Sequence, residues 1–515
     1  MTFRNTAILQ FCLPALLAAC LLGAGLAPQI PATTWESAIA DTNEKVVKFL
    51  NADRLSRTVK NGEPIRMFEG NVRLSQPDKD TLYLWADRVL EFEGRDEVLL
   101  IGDVLIIQNN DSLSADSVRY FSSTKKGRAM GRVRLSDGEV QVYAPSALHD
   151  FDRKHTAFDD NVRLVDSATV LTSLDGEYFS QEKRAEFYGE VVLEEDKTYL
   201  EADSVTYFRD TEISIGLGDV FIERTGGEEG EAAADSSTRT FLFGDRVYND
   251  NRAGYSKMEG NAMLFQFKQD SLGVPADSLV MTATTLEAIR EDSLQRLIAV
   301  ESVLIWRDDF AALADSAVYD RVSVELEPLN EENRLFDNPM AWFDSYQLSG
   351  DTMRATAFDG KIDSLFVLRN AFAADQDSTT MRINQLKGKT LLGLFEQDSL
   401  KSLSVGPQAE SIYFSVSEGS QLRGIQTSGD RIELRFKNND LNEIGYFSGI
   451  QGMYYDGALI PDPFQLDGFS WTPERRPQKN VMLDDESRML RIMQRTQPFL
   501  LPVSGEQPRG LINED

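Results

Sequence analysis

Hydrophobic and polar residues alternate along most of this chain, in short runs that begin just after a glycine. In Gly70-Asn-Val-Arg-Leu74 and Gly131-Arg-Val-Arg-Leu135, the Val and Leu have one parity and the polar residues have the other. A period of two residues is typical of strands with one buried face. Between residues 60 and 470 no stretch has a convincing 3.6-residue period. The pattern predicts an all-β protein.

The alternating runs recur at a fixed distance. The glycine phrase begins at Gly70, Gly102, Gly131, Asp160 (glycine replaced), Gly189 and Gly218, in steps of 32, 29, 29, 29 and 29 residues. A second phrase, Ala-Asp-Arg/Ser-Val, keeps the same period at Ala52, Ala86, Ala115, Ala144, Ser173 and Ala202, although the copies at 144 and 173 are degenerate. Such self-similarity predicts an elongated stack of two-strand repeats of about 29 residues, each burying its apolar face against its neighbours.

The repeats weaken in the second half of the chain but do not stop. Diverged copies include Gly260-Asn-Ala-Met-Leu264, Ala314-Asp-Ser-Ala317 and Gly429-Asp-Arg-Ile432. We therefore divide the chain into residues 1–40, a leader; 41–240, clear repeats; 241–470, diverged repeats forming a possible second stretch; and 471–515, a polar tail. A weak helical spacing within 482–497 predicts a short helix in that tail.

The first 40 residues are typical of an export signal. Arg4 is followed by an apolar run from Ala7 to Ala27, and Ala38-Ile-Ala40 is a small-x-small cleavage site. Two alternatives stay open: Leu17-Ala-Ala-Cys20 reads as a lipobox in which Cys20 would be lipidated, or the leader is retained as a membrane anchor. The sequence thus predicts a periplasmic protein, either free or anchored at the membrane.

Charge and cysteine content narrow the function classes. The 83 acidic and 53 basic residues give a net charge of −30, which argues against binding to a nucleic-acid backbone. The two cysteines, Cys12 and Cys20, both lie in the leader. A chain cleaved after Ala40 is cysteine-free, so we expect its stability to come from burial and strand pairing without disulfides.

The sequence offers little enzymatic chemistry. His149 and His155 stand beside acidic residues, but their spacing is not that of a metal site, and we place them in a surface turn. Asp53, Asp87, Asp116 and Asp203 recur in register, whereas acid–base catalysis needs one unequal pair of carboxylates. We assign these aspartates to a bend in the strand and predict no enzyme, cofactor or metal.

The Val and Leu positions of the repeats define a candidate apolar strip on one strand face. Its members are Val72, Leu74, Leu84, Val104, Ile106, Leu113, Val133, Leu135, Val162, Leu164, Val191, Leu193, Leu200, Val220 and Ile222. A closed sandwich would fill this strip with its own side chains and bind nothing. An open one would leave it as a groove for an apolar ligand.

The paired phrases resemble the OstA-like family, the organic-solvent-tolerance and LptA-like proteins of the periplasmic lipopolysaccharide-transport bridge. The stretch from Leu50 to Phe92 is close to a full opening unit of such a domain, and the resemblance extends clearly to Ile222 and diffusely to Phe436. Gly468–Pro477 resembles the end of long members from Bacteroidetes. The resemblance implies an open β-jellyroll with lipid acyl chains in its cleft, and protomers that stack edge to edge.

We therefore expect a non-enzymatic periplasmic lipid-transfer protein that shields lipopolysaccharide acyl chains on their way to the outer membrane. Its expected partners are lipopolysaccharide or a related lipid, other OstA-like transport components joined by edge-strand pairing, and further copies stacked head to tail. The alternative is a secreted or surface-attached β-rod, a spacer or adhesin with a filled core and no ligand.

Overall fold

The computed structural model describes residues 47–496, with short gaps at 78–79, 167–168, 196, 227–237, 270–274, 292, 309, 323–329, 344, 359–360, 397–398, 417–421 and 438–439. The leader, its cleavage site, Cys20 and the last 19 residues lie outside the described residues.

The described chain is almost entirely β-structure, with two short helices near its end. The strands are β1 Lys48–Asn51, β2 Arg54–Lys60, β3 Glu63–Gln76, β4 Leu82–Phe92, β5 Val98–Gln108, β6 Asp111–Phe121, β7 Lys126–Ser136, β8 Gln141–Asp150, β9 His155–Asp159, β10 Val162–Val165, β11 Val170–Ser173, β12 Asp175–Phe179, β13 Arg184–Glu195, β14 Thr198–Phe208, β15 Ile213–Thr225, β16 Thr238–Asp250, β17 Tyr255–Gln269, β18 Pro275–Arg290, β19 Leu294–Arg307, β20 Phe310–Val322, β21 Asn330–Phe336, β22 Met340–Phe343, β23 Tyr346–Ser349, β24 Thr352–Phe358, β25 Lys361–Gln376, β26 Ile383–Glu396, β27 Ser399–Gly406, β28 Ala409–Val416, β29 Leu422–Gly429, β30 Arg431–Lys437, β31 Asp440–Phe447 and β32 Gln451–Asp456. Single 3₁₀ turns at Gly457–Leu459 and Pro473–Arg475 precede helices α1 (Lys479–Met482) and α2 (Glu486–Thr496).

The 32 strands of the described residues belong to one antiparallel sheet, and long strands carry a register shift near their middle. In β3 the pairing to β4 shifts register between Glu69 and Val72, so residues 70 and 71 lie opposite Asp87 alone. The same bulge recurs along the stack. A bulge bends its strand, so each long, bulged strand runs through two half-sheets. We call the half-sheet containing Glu63–Glu69 wing A and the one containing Val72–Gln76 wing B.

Where the repeat motif degenerates, the bent strand breaks into two. The glycine replaced by Asp160 leaves β9 in wing A and β10 in wing B, and the degenerate phrase at Ser173 separates β11 from β12. Across residue 240 the sheet is continuous, because β15 pairs directly with β16. The two stretches of repeats therefore form one uninterrupted stack.

The two wings face each other across a shared apolar core. One cluster of buried side chains draws members from both wings and runs from Phe68 to Ile432. Contacts are concentrated between strands that are neighbours in the stack, which is the quasi-one-dimensional arrangement of repeat proteins. The predicted all-β, elongated jellyroll of two-strand repeats is confirmed.

After β32 the chain turns back along the outer face of wing B. We call residues 457–496 the strap. Its aromatic part packs on Phe372 and Phe414, and α2 packs Ile492 against a phenylalanine cluster that includes Phe241 and Phe265. The helices within the described ranges are too short and too polar to span a lipid bilayer.

Candidate functional site: the cleft between the wings

The corner of each bent strand is built from the two repeated phrases. The aspartate of one phrase lies against the glycine of the next strand: a Cβ added at Gly102 would stand 2.4 Å from Oδ2 of Asp87, and Gly131 meets Asp116 in the same way. Gly102 has a φ of +82°, a conformation in which glycine is favoured. The repeated carboxylates thus have a shared place in the strand corners.

The fifteen residues of the predicted strip lie on one wing. They form in-register rows across wing B, as in Leu74–Leu84–Ile106–Leu113, where each residue is paired with the next. All but Leu164 are buried at 3% exposure or less, and Leu164 packs against the same core. Their role as a lipid groove stays a prediction.

Wing A supplies the facing row, which sequence reasoning did not identify. Phe68, Val89, Leu100, Val118 and Ala129 are paired one to the next along it. In the strands with the Ala-Asp phrase the inward parity changes at the corner, as between Leu113 and Val118, whereas in the glycine strands the two bulge residues leave it unchanged, as between Leu100 and Val104. The change of parity around the Ala-Asp phrase is the feature of the sequence that could have identified this row.

In the first half of the stack, polar groups bridge the gap between the ends of the two wings that lie away from the strand corners. We call this side the mouth of the cleft. The Tyr120 hydroxyl in wing A donates to the Gln76 amide oxygen in wing B, and Gln76 Nε2 donates to the Ser122 carbonyl at 3.2 Å. Lys154 Nζ lies 3.6 Å from Asp111 Oδ2 in a similar bridge. A small cavity of about 30 Å³ lies beside Leu164 in this half of the stack.

A further bridge is centred on Asp137. Its carboxylate accepts hydrogen bonds from the Tyr178 hydroxyl and from Arg209 Nη1, the latter at 2.8 Å. Burial alone would raise the pKa of Asp137, but the hydrogen bonds from Tyr178 and from the backbone N–H groups of Val140 and Glu139, together with the charge of Arg209, lower it. The carboxylate is therefore held ionised across the mouth.

The second half of the stack contains a larger cavity, which we call chamber 1, of about 260 Å³. Wing A lines it with Leu365, Leu403 and Leu434, while wing B presents the smaller residues Ala373 and Ser411. Both small residues continue the row that holds Leu74 and Leu84 in the first half. Leu348 and Leu386 of the same row also line the chamber, so long and short side chains alternate along wing B at this place.

Chamber 2, of about 170 Å³, adjoins chamber 1, and both are lined by Phe343 and Leu365. Its floor is apolar, with Met281, Leu335 and Met353 among the lining residues. Its lining also includes polar side chains, namely Arg307, Tyr319, Glu331, Asn333 and Thr356. Together the chambers form an apolar site with a polar part, a combination typical of ligand sites.

The histidines differ from expectation. His149 lies within β8 and is 2% exposed, with its Nδ1 2.7 Å from Thr156 Oγ1, so its assignment to a surface turn was wrong. The turn begins after Asp150, and His149 has the inward parity of Ala147. His155 lies in β9 with its Nε2 2.9 Å from Glu177 Oε2. The described residues contain no group of three or more potential metal ligands.

The two ends of the stack present strand edges. At one end β1 and β2 both pair with β3 alone among the described strands, and they expose Leu50, Leu55 and Val59. At the other end β31 and β32 expose Met453 and Tyr454. Unpaired edges that carry apolar side chains are typical sites of strand addition.

Part of the chain is similar to known proteins. Residues 44–203 match the family model described as OstA-like protein. The LPS-assembly protein LptD of Photobacterium profundum is 27% identical over 142 residues, which are 27% of this chain and 18% of that protein. The chain thus matches less than a fifth of the length of that curated relative.

Among solved structures, a match is found to LptH from Pseudomonas aeruginosa, described as the LptA homologous periplasmic component of the conserved lipopolysaccharide transport device. The two are 15% identical, and the match covers 26% of this chain and 79% of LptH with a TM-score of 0.14.

Proposed function

Residues 44–203 of this chain are an OstA-like region, and from this premise we propose that the protein takes part in lipopolysaccharide transport in the periplasm, as a non-enzymatic carrier. Its cargo is lipopolysaccharide or a related lipid, and its acyl chains lie in the cleft between wings A and B. The similarity to the LPS-assembly protein LptD supports the proposed role in lipopolysaccharide transport.

The observation that carries the proposal is the pair of adjoining chambers between the wings. Their lining is dominated by Leu, Ile, Phe, Met and Ala side chains from both wings. Each methylene moved from water into such a lining contributes about 0.8 kcal/mol. The contribution has no preferred direction, so an acyl chain can be held firmly and still slide along the stack.

Chamber 1 gives a direct test at Gly393, which lines it. A Cβ at this position would make ordinary contacts of 3.5 Å with Leu400 and Phe395, so Gly393→Ala should bind lipid normally. Gly393→Ile fills the chamber and suits a strand. We expect it to fold and to lose most of the lipid that copurifies with the wild type, measured by mass spectrometry of organic extracts.

A photoreactive residue separates the cleft from the protein surface. Placed at Leu403, which lines chamber 1, it should crosslink to lipid in cells, whereas at Ser404, the next residue on the strand, it should not. Absence of lipid from the purified wild type and of any crosslink from position 403 would overturn the carrier function.

One observation favours the second candidate, a ligand-free β-rod. In the first half of the stack, Leu84, Leu100 and Tyr120 are fully buried and the mouth is bridged by polar pairs. A rod of this kind would keep its stability and its localisation in cells when Gly393 is changed to Ile. A carrier would lose its cargo.

The proposal also includes a route of export and partners at the two ends of the stack. The leader exports the protein, by cleavage after Ala40, by lipidation of Cys20 or by retention as an anchor. The partners at either edge of the stack are other OstA-like transport components or further copies of this chain.

A further inference from the structure

We infer that a set of polar bridges across the mouth forms a gate, which separates when an acyl chain moves along the cleft between the chambers and the first strands of the stack. The inference rests on the proposed lipid-binding function and adds a conformational step to it. We call Asp111, Asp137, Lys154, Tyr178 and Arg209 the clasp.

The clasp joins the ends of the two wings. Its carboxylates belong to wing B, where Asp111 begins β6 and Asp137 follows β7. Its donors belong to wing A, where Lys154 precedes β9, Tyr178 lies in β12 and Arg209 follows β14. Lys154 faces Asp111, whereas Tyr178 and Arg209 both donate to Asp137. Each donor of one wing thus meets a carboxylate of the other.

The clasp lies between the chambers and the first end of the stack. The residues that line the two chambers come from β18 to β31. The clasp residues lie between β6 and the turn after β14, and the stack begins at β1 and β2. An acyl chain that slides from the chambers towards β1 would therefore pass beneath the clasp.

The space beneath the clasp is too narrow for such a chain. The cavity of about 30 Å³ is lined by Tyr178 and Arg209 themselves, together with Leu164, Phe187 and Val205. Ligand pockets have volumes of about 300–1,000 Å³. The lining is suitable for an acyl chain in its chemistry but not in its volume, so passage requires the two wings to move apart at this place.

The strand corners next to the clasp are built differently from the others. Here the bent strands are interrupted, β9 from β10 at residues 160–161 and β11 from β12 at Leu174. A Cβ added at Gly189 would meet the Leu174 side chain at 2.9 Å, where other corner glycines meet an aspartate. Hinges are formed by a few residues at the ends of elements. The place where the wings are clasped is thus also the place where their connection is interrupted.

The clasp is suited to reversible opening. The side chains of Asp137 and Arg209 are 9% and 16% exposed, so their charged ends reach the solvent at the mouth. Water can take over their hydrogen bonds when the wings separate, which limits the cost of opening. The apolar lining that opening would expose is covered by the passing acyl chain. The cargo itself therefore favours the open state, and the clasp closes when the cargo has left.

The test maps where a lipid probe reaches the interior. Delipidated full-length protein is irradiated with palmitate that carries a diazirine, and labelled segments are identified by mass spectrometry. The wild type should be labelled at Leu403 in chamber 1 and only weakly at Val205 beneath the clasp. Arg209→Gln should raise labelling at Val205 at least threefold and leave labelling at Leu403 within twofold.

The matched control is Arg252→Gln. Arg252 also lies at the mouth end of wing A, but its Nε is 3.2 Å from Glu212 Oε1 in the same wing. Its loss breaks an ion pair without releasing the wings, so labelling at Val205 should stay at the wild-type level. An increase as large as that in Arg209→Gln would overturn the gate.

A second variant makes the result independent of the loss of a large side chain. Asp137→Asn keeps the size of the side chain and removes its charge, and it should raise labelling at Val205 in the same direction; circular dichroism verifies the fold of both variants. Unchanged labelling at Val205 in both, with Leu403 labelled, would overturn the gate and leave the carrier function standing. Absence of label at both positions in every protein would sink both proposals.

A reversible lock tests the movement itself. The predicted exported chain has no cysteine, so Asp111→Cys and Lys154→Cys can be joined across the mouth by a bifunctional thiosulfonate in the Arg209→Gln protein. The lock should return labelling at Val205 to the wild-type level, and reductant should restore the increase. Labelling that stays high in the locked protein would show that the probe enters without separation of the wings, and would overturn the gate.

Discussion

At the scale of single residues, the corner of each repeat depends on a contact between an aspartate and a glycine. At Gly102 the glycine both adopts a positive φ of +82° and touches the Asp87 carboxylate. The two demands are separable, because Gly94 has a φ of +91° with no atom within 4 Å of an added Cβ. Comparing the two positions distinguishes backbone strain from loss of the corner contact.

We predict that Gly102→Ala lowers the free energy of unfolding by about 2–4 kcal/mol and Gly94→Ala by about 1 kcal/mol. The extra loss at Gly102 comes from displacing Asp87, so Asp87→Ala should partly rescue Gly102→Ala in the double variant. Urea unfolding followed by circular dichroism measures all four proteins. Equal losses at the two glycines would show that the Asp87 contact contributes nothing.

His149 makes stability depend on pH. Burial lowers its pKa from 6.5 to about 4, so the unfolded chain binds a proton below pH 6.5 whereas the folded chain does so only near pH 4. Folding is therefore stabilised above pH 6.5, and this stability is lost as the pH falls. The expected loss between pH 7 and pH 4.5 is about 2–3 kcal/mol.

The measurement compares wild type with His149→Gln at both pH values. The variant lacks the titrating ring, so its unfolding free energy should fall by about 2–3 kcal/mol less than that of the wild type over this interval. Parallel losses in the two proteins would mean that His149 does not contribute to the acid sensitivity.

At the scale of elements, the strap joins strands that are far apart in the stack. Gln347 Nε2 donates to the Ser470 carbonyl at 2.9 Å, and further along Lys479 lies over the Trp306 ring at 5.0 Å from its centroid. At the end of α2, Arg495 stacks on Tyr199 and pairs with Glu223, which is 2% exposed. The strap thus connects β14 with β23 along one wing.

We predict that Ile492→Ala in α2 lowers the free energy of unfolding by about 2–4 kcal/mol, because it leaves a cavity against the phenylalanine cluster of wing B. Leu490→Ala on the same helix should change it by less than about 0.5 kcal/mol, since Leu490 is 56% exposed. Denaturant unfolding measures both. A larger loss at Leu490 would contradict this packing of α2.

At the level of elements, the strand corners could be predicted from the sequence, whereas the cavities could not. The corners follow from the repeated Ala-Asp and Gly-x phrases, and strand existence follows from alternation. The chambers do not, because Ala373 and Ser411 look like ordinary strand residues until the fold brings them to the same cavity as Leu403 and Leu434. Only the long-range register shows that the wing B row has lost volume at these positions.

At the scale of the whole molecule, the direction of the end strands permits head-to-tail stacking. The first bent strand, β1 with β2, runs from wing B to wing A. The last, β31 with β32, runs from wing A to wing B. Placing the first strand of one copy beside the last strand of another therefore continues the antiparallel alternation, with both wings aligned.

We predict a specific crosslink between copies. The predicted exported chain has no cysteine, so Val59→Cys in one copy and Asn442→Cys in another should form a disulfide-linked dimer under mild oxidation. Mixing either variant with Ser404→Cys, a position two strands in from the terminal strand of wing A, should not. Gel electrophoresis without reductant detects the product, and its absence would argue for a different partner at one edge.

The bent strands have a further consequence for how such a protein can change length. Each repeat contributes one strand in either direction, so duplication of a whole repeat within the gene leaves the polarity of both termini intact. The molecule would lengthen in increments of about 10 Å, two strand spacings. Gain of a single strand would reverse the direction of one terminal strand. That strand could then no longer pair antiparallel with the adjacent copy. We therefore expect the length of such a stack to change in even numbers of strands.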